Sequence, residues 1–199
     1  MSLTIPPVPQ EAVTAVAAAL PHLAESRAVA ARLPHGKTAI TRFLTARAGS
    51  PAAQPDLSLP WFVLDIADVP KGLTAARQVG WRYVLSTGES TGPVLADSMI
   101  RDSDQHVFAG LAESPFARDL QARIAALRQD PTVTAGSYSA ALLQVPPCYV
   151  MAIWLQDTSH RDDLVAVVAP APPPLTAGRL DSASQFLSAI RQVRPSVWR

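Results

Sequence analysis

The run Ala140-Ala-Leu-Leu-Gln-Val-Pro-Pro-Cys-Tyr-Val-Met-Ala-Ile-Trp-Leu-Gln156 is the most extended apolar stretch of the chain, and it decides the fold. Its second half, Cys148 to Leu155, is almost wholly apolar, which is typical of a strand buried on both faces. A polar segment, Asp157 to Asp163, separates it from a second run rich in β-branched residues, Leu164 to Val168. This pattern predicts an antiparallel hairpin with a solvated tip.

A third strand candidate, Tyr138 to Val145, precedes the hairpin, so we expect a meander of three strands at the centre of the fold. Pro146 and Pro147 cannot donate hydrogen bonds to a sheet, and they should mark a break between the first two strands of the meander. Two further strands are predicted upstream, at Trp61 to Ile66 and at Gly80 to Ser86. Apolar and polar residues alternate in the second of these.

Helical patterns surround these strands. They cover Gln10 to Leu20, His22 to Leu33 after the interruption at Pro21, Lys37 to Arg47, Thr91 to Ile100, Asp104 to Glu113, a helix opening at Pro115 behind the cap Ser114, and a last helix opening at Ser182. Since strands and helices do not alternate regularly, we predict an α+β fold. It should have a mostly antiparallel sheet of about five strands with covering helices, preceded by an Ala-rich helical segment.

Composition shifts divide the chain into three parts. Residues 1–47 form the helical N-terminal segment, residues 48–60 are rich in Pro, Ala and Ser and form an exposed linker, and residues 61–199 form the α+β domain. The chain is long enough for one domain with a proper core and an appended helical segment.

Charge and cysteine content exclude several classes of protein. The net charge is +1, and no block of basic residues is present, so we expect neither nucleic acid nor an anionic membrane as a partner. The apolar runs are shorter than the roughly 20 residues of a membrane span. The single cysteine, Cys148, excludes an internal disulfide and a multi-cysteine zinc site, and its apolar setting predicts an inert buried thiol.

Without a signal peptide pattern, a cytoplasmic protein is the default, and the abundance of Ala, Arg and Pro suggests a bacterial gene.

The segment Ala31-Arg-Leu-Pro-His-Gly-Lys-Thr38 resembles the phosphate-binding loop of P-loop nucleotide hydrolases, with alanine in place of the first glycine. In that family the backbone amides cradle phosphates, the lysine reaches the outer phosphates and the hydroxyl binds magnesium. The resemblance implies these roles for Gly36, Lys37 and Thr38. Phe62-Val-Leu-Asp65 resembles the apolar strand that ends in the family's magnesium-side aspartate. The residues before the loop have the charge pattern of an exposed helix, so the alternative is a turn between two helices.

The segment Gly88-Glu-Ser-Thr-Gly92 is similar to the nucleophile elbow of α/β-hydrolases, a Gly-x-Ser-x-Gly turn between a strand and a helix. A strand is predicted before it, and a helix is expected after it from Pro93. The resemblance implies Ser90 as the nucleophile and His160 as the base, and the family order of serine, acid and histidine allows an aspartate such as Asp130 as the acid. The alternative is a loop rich in Gly, Ser and Thr that joins a strand to a helix.

The remaining observations favour a protein that acts through its surfaces. Asp157, His160, Asp162 and Asp163 match no calcium or zinc spacing, so we expect a solvated turn without a metal. The small residues of Gln10 to Arg47 permit close helix packing on the domain or on another subunit. We therefore expect a non-catalytic accessory, adaptor or assembly protein that acts through protein–protein interaction or self-association and needs no cofactor. A serine hydrolase and a nucleotide-binding protein are the alternatives.

Overall fold

A computed structural model describes residues 3–30, 40, 43–44, 55–86, 93–159 and 162–193 of the chain. The strands are β1 (Leu3–Thr4), β2 (Leu57–Val63), β3 (Arg77–Leu85), β4 (Val94–Ile100), β5 (His106–Ala112), β6 (Tyr138–Val145), β7 (Val150–Asp157), β8 (Leu164–Val167) and β9 (Leu180–Ser182). The helices are α1 (Gln10–Ala30), α2 (Pro115–Leu127), α3 (Pro131–Ala135) and α4 (Ala183–Ile190). Strand pairing is mostly antiparallel, which confirms the α+β class, but the described residues hold nine strands instead of about five.

The predicted meander is confirmed. β6 pairs antiparallel with β7, with Leu142 opposite Ile153, and β7 pairs antiparallel with β8, with Ile153 opposite Ala166. The chain turns between β6 and β7 in a 3-10 segment, Pro146–Cys148, where the two prolines cannot join a sheet ladder. All six residues from Val150 to Leu155 are buried, so β7 is covered on both faces.

One compact unit is built around this meander from the described parts of Met1–Pro6, Leu59–Val79 and Asp119–Arg199. Within it, β1 and β2 both pair parallel with β6, and β9 pairs antiparallel with β8. β1 has two residues and β9 has three. Strands this short show no apolar period, which explains why the sequence pattern does not predict them.

One face of the meander packs against α4, as predicted. Val165 of β8 shares a buried cluster with Phe186 and Ile190 of α4, whose spacing of four residues places both on one side of the helix. The helix opens with a capping box, in which the Ser182 hydroxyl accepts a hydrogen bond from the Gln185 amide and the Gln185 side chain accepts one from the Ser182 amide. The apolar faces of β8 and α4 are therefore buried in one core.

The helix predicted behind Ser114 is also confirmed as α2. The Ser114 hydroxyl accepts a hydrogen bond from the Phe116 amide at 3.2 Å, which satisfies one free donor of the first turn. The apolar residues at helical spacing are all buried, namely Phe116, Leu120, Ile124 and Leu127. Asp130 then ends this helical stretch and caps α3, accepting hydrogen bonds from the amides of Thr132 and Val133.

A second compact unit comprises the described parts of Pro7–Ser58 and Gly80–Arg118. In it, β3 pairs antiparallel with β4, and β4 pairs antiparallel with β5. Trp81 and Tyr83 of β3 are buried in a cluster with Val16 of α1. The apolar positions of α1 therefore cover one face of these hairpins.

Two segments that we predict as helices are strands in their described residues. Thr91 to Ile100 contains β4 and Asp104 to Glu113 contains β5. Val94, Leu95 and Ala96 are buried in succession, which a helix on a surface would not do. Because strand preference depends on packing against neighbouring strands, the pairing with β3 overrides a local pattern that fits either state.

α1 is one continuous helix, which corrects the prediction that Pro21 separates two helices. A proline inside a helix removes one hydrogen bond to the carbonyl four residues earlier. The three residues Ala17 to Ala19 immediately upstream are strong helix formers, and Ala12 and Val16 are anchored in the core of the second unit. The loss of one backbone hydrogen bond at the exposed Pro21 therefore does not end the helix, which continues to Ala30.

The start of β2 corrects the predicted exposure of the linker. The strand begins at Leu57, four residues before the expected start at Trp61, and both Leu57 and Leu59 are buried. Residues two apart in a strand point to the same face, so this leucine pair carries a strand signal that the surrounding prolines obscure.

The division of the chain into 1–47, 48–60 and 61–199 stays a prediction, since residues 31–39 and 45–54 lie outside the described residues. The apolar stripe expected in the third helical segment is confirmed at Phe43 and Leu44, which are helical and buried in the second unit. Ile40 is helical as well and packs against the same cluster.

Candidate functional site

The motif residues of both resemblances, and the histidine of the second, lie outside the described residues. These are Gly36, Lys37 and Thr38 of the phosphate-loop motif, and Ser90 and His160 of the hydrolase motif. Their chemical roles stay predictions. The elements around them, however, are described and bear on each hypothesis.

The serine motif lies between two antiparallel strands. β3 ends at Leu85, β4 begins at Val94, and these two residues are paired across the hairpin. The helix expected from Pro93, which gives a nucleophile elbow its strand–turn–helix geometry, is replaced by a strand. Asp130, the acid that the resemblance allows, has its carboxylate engaged in capping α3.

The phosphate-loop motif follows a helix. α1 extends to Ala30, immediately before the motif begins at Ala31, whereas the family has a buried strand there. β2 ends at Val63, and Asp65 lies two residues beyond it. The Asp65 carboxylate accepts a hydrogen bond from the Ala67 amide at 3.0 Å and so caps a 3-10 segment.

A first candidate interaction surface is the outer edge of β5, which we call the β5 edge. β5 pairs with β4 on one side and with no other strand in the part of the chain that the structure describes. Its seven residues, His106 to Ala112, include no lysine, arginine, carboxylate or proline. Exposed edge strands usually carry such residues, because unpaired backbone groups are a template for another strand.

The β5 edge is held firmly from beneath. Phe108 and Leu111 pack against the cluster that α1 forms with β3 and β4. The Glu113 carboxylate, just past the strand, accepts a hydrogen bond from the Ile40 amide at 3.0 Å. A bulge in β5, opposite Asp97 and Ser98 of β4, leaves Ala109 without a partner in the ladder, and its side chain is exposed. The strand is therefore fixed on its inner side, and no described strand pairs with its outer side.

A second candidate lies in the other unit, at the tip of the β7–β8 hairpin. The Asp157 carboxylate accepts hydrogen bonds from the amides of Ser159 at 2.7 Å and Asp162 at 3.3 Å. The Asp163 carboxylate accepts from the Trp154 indole and from the Asp157 amide, both at 2.9 Å. The tip is therefore built by its own carboxylates, rather than being only a solvated turn.

The tip and the α3–β6 connection enclose a pocket of about 310 Å³, which we call the tip pocket. The amide and hydroxyl of Thr158 both donate to the Ser137 carbonyl at 3.0 Å, which ties the two walls together. Gly136 leaves room for the ring of Tyr138 on the same wall, because a Cβ at Gly136 would collide with that ring. Asp157 and Asp162 contribute carboxylates to the lining.

Tyr138 forms the apolar wall of the tip pocket and is 9% exposed. Burial raises the pKa of its phenol, and the charges of Asp157, Asp162 and Asp163 raise it further. The phenol is therefore neutral at physiological pH, and its hydroxyl makes no hydrogen bond to any described residue. The sequence marked the aspartates of the tip, but not Tyr138, which lies 19 positions before Asp157 and meets it only through the pairing of β6 with β7.

Two other polar groups of the described chain have structural roles. Arg82 binds Asp97 through two hydrogen bonds, from Nε to Oδ1 at 2.7 Å and from Nη2 to Oδ2 at 2.8 Å, across the β3–β4 hairpin. Cys148 is buried as predicted, and burial raises the pKa of its thiol, which makes the reactive thiolate scarcer. Within the described residues, no three His, Cys, Asp or Glu side chains are grouped so that they could hold a metal ion.

Comparisons of the chain with protein-family models, curated proteins and solved structures found no match. None of the helices that the structure describes combines the length and apolar character needed to cross a membrane.

Proposed function

We propose that this protein is a non-catalytic assembly protein that acts through protein–protein interaction, by pairing its β5 edge with the β5 edge of a second copy. The expected setting is the bacterial cytoplasm. The observation that supports the proposal is the uncharged seven-residue edge, which pairs on one side only within the described chain. Strand addition at such an edge uses backbone hydrogen bonds for affinity and side-chain contacts for specificity.

The sequence of β5 suits pairing with itself. Two identical strands related by a two-fold axis run antiparallel, and the residue on the axis faces its own copy. With the axis at Ala109, the exposed midpoint of the strand, two small side chains meet there. No like charges are brought opposite one another within the strand.

A charge placed on the axis tests this arrangement. Ala109→Lys sets two ammonium groups directly opposite each other, which is expected to weaken dimerisation about tenfold or more. Ala109→Gln has a side chain of similar length without the charge and should dimerise like the wild type. Sedimentation velocity over a range of protein concentrations measures the dissociation constant of each variant.

A charge swap identifies the partner strand. Ala109→Glu alone should be as weak a dimer as Ala109→Lys, and a mixture of the two should form a heterodimer in which the opposed charges attract. A wild-type chain that stays monomeric at about 100 µM, a concentration that detects weak association, contradicts the proposal. So does a dimer that Ala109→Lys leaves unchanged, because the contact would then lie elsewhere.

A further inference from the structure

We draw no further inference here: the strongest candidate, the mostly apolar pocket of about 260 Å³ that Ile66, Val69, Pro70, Arg191 and Val193 line beside the end of α4, carries none because nothing in the structure shows what covers it.

Discussion

The β6–β8 meander and the β4–β5 hairpin are both antiparallel, yet they are buried very differently. In β7, the six residues from Val150 to Leu155 are all buried. In β5, none of the seven residues from His106 to Ala112 is fully buried. The meander therefore owes its stability to its own apolar content, whereas β5 depends on α1 beneath it and on β4 beside it. β5 also has an outer edge that no described strand pairs with.

The largest expected effect separates these two regions by truncating one apolar side chain in each. Ile153→Ala in β7 removes a side chain with no exposed surface and should lower the free energy of unfolding by about 4 kcal/mol. Val107→Ala in β5 removes a partly exposed side chain and should cost about 1 kcal/mol. Urea denaturation followed by tryptophan fluorescence measures both.

Equal losses of unfolding free energy for Ile153→Ala and Val107→Ala would contradict the difference in burial between β7 and β5. Ile153→Val is the control for the first variant, since it deletes one methyl group and should cost about 1 kcal/mol. A much larger loss for Ile153→Val would indicate strain around β7 in place of a simple cavity.

The difference in burial also explains which strands the sequence predicts. A strand covered on both faces must be apolar almost throughout, so the run from Cys148 to Leu155 shows its state without knowledge of its neighbours. β4 and β5 mix Ala, Gly and Ser with a few larger apolar residues, and this composition fits a helix as well as a strand. Their state is decided by the pairing of β4 with β3 and of β5 with β4, which no local pattern reports.

The candidate sites were less predictable than the fold for the same reason. The absence of charge over His106 to Ala112, between Asp104 and Glu113, was visible in the sequence, but it indicates an open edge only once β5 is known to be a strand. The tip aspartates were visible too, although Tyr138 joins them only through strand pairing. Motifs such as the one around Ser90 are visible in the sequence because all of their residues are close together along the chain.

A smaller effect is expected from the ion pair that joins β3 to β4. Arg82 and Asp97 are 8% and 18% exposed, and Arg82→Met leaves a largely buried carboxylate without its cation. We expect a loss of about 3 kcal/mol in the free energy of unfolding, measured by urea denaturation. Because the cost lies in the unpaired charge, the double variant Arg82→Met/Asp97→Leu should recover most of it. No recovery would mean that Arg82 stabilises the hairpin by packing alone.

The smallest expected effect is on the free energy of unfolding at alkaline pH. It involves one tyrosine in each region, Tyr83 and Tyr138. Burial raises the pKa of Tyr83, the Asp97 charge raises it too, and the hydrogen bond with the Ser98 hydroxyl opposes them in part. The pKa of Tyr138 is raised by burial and by the tip aspartates. A raised folded-state pKa means that both phenols stabilise the fold fully below the unfolded value of 10.0, and that this stability is lost as the pH rises through the folded value.

Each tyrosine should therefore steepen the fall of unfolding free energy above pH 10, by at most about 1.4 kcal/mol per pH unit. Tyr83→Phe and Tyr138→Phe should each flatten that fall while leaving its onset unchanged. The measurement is urea denaturation between about pH 9 and pH 11. If only Tyr83→Phe flattens the curve, then the phenol of Tyr138 ionises as easily in the folded chain as in the unfolded one. The phenol of Tyr138 would then be open to water in the folded chain.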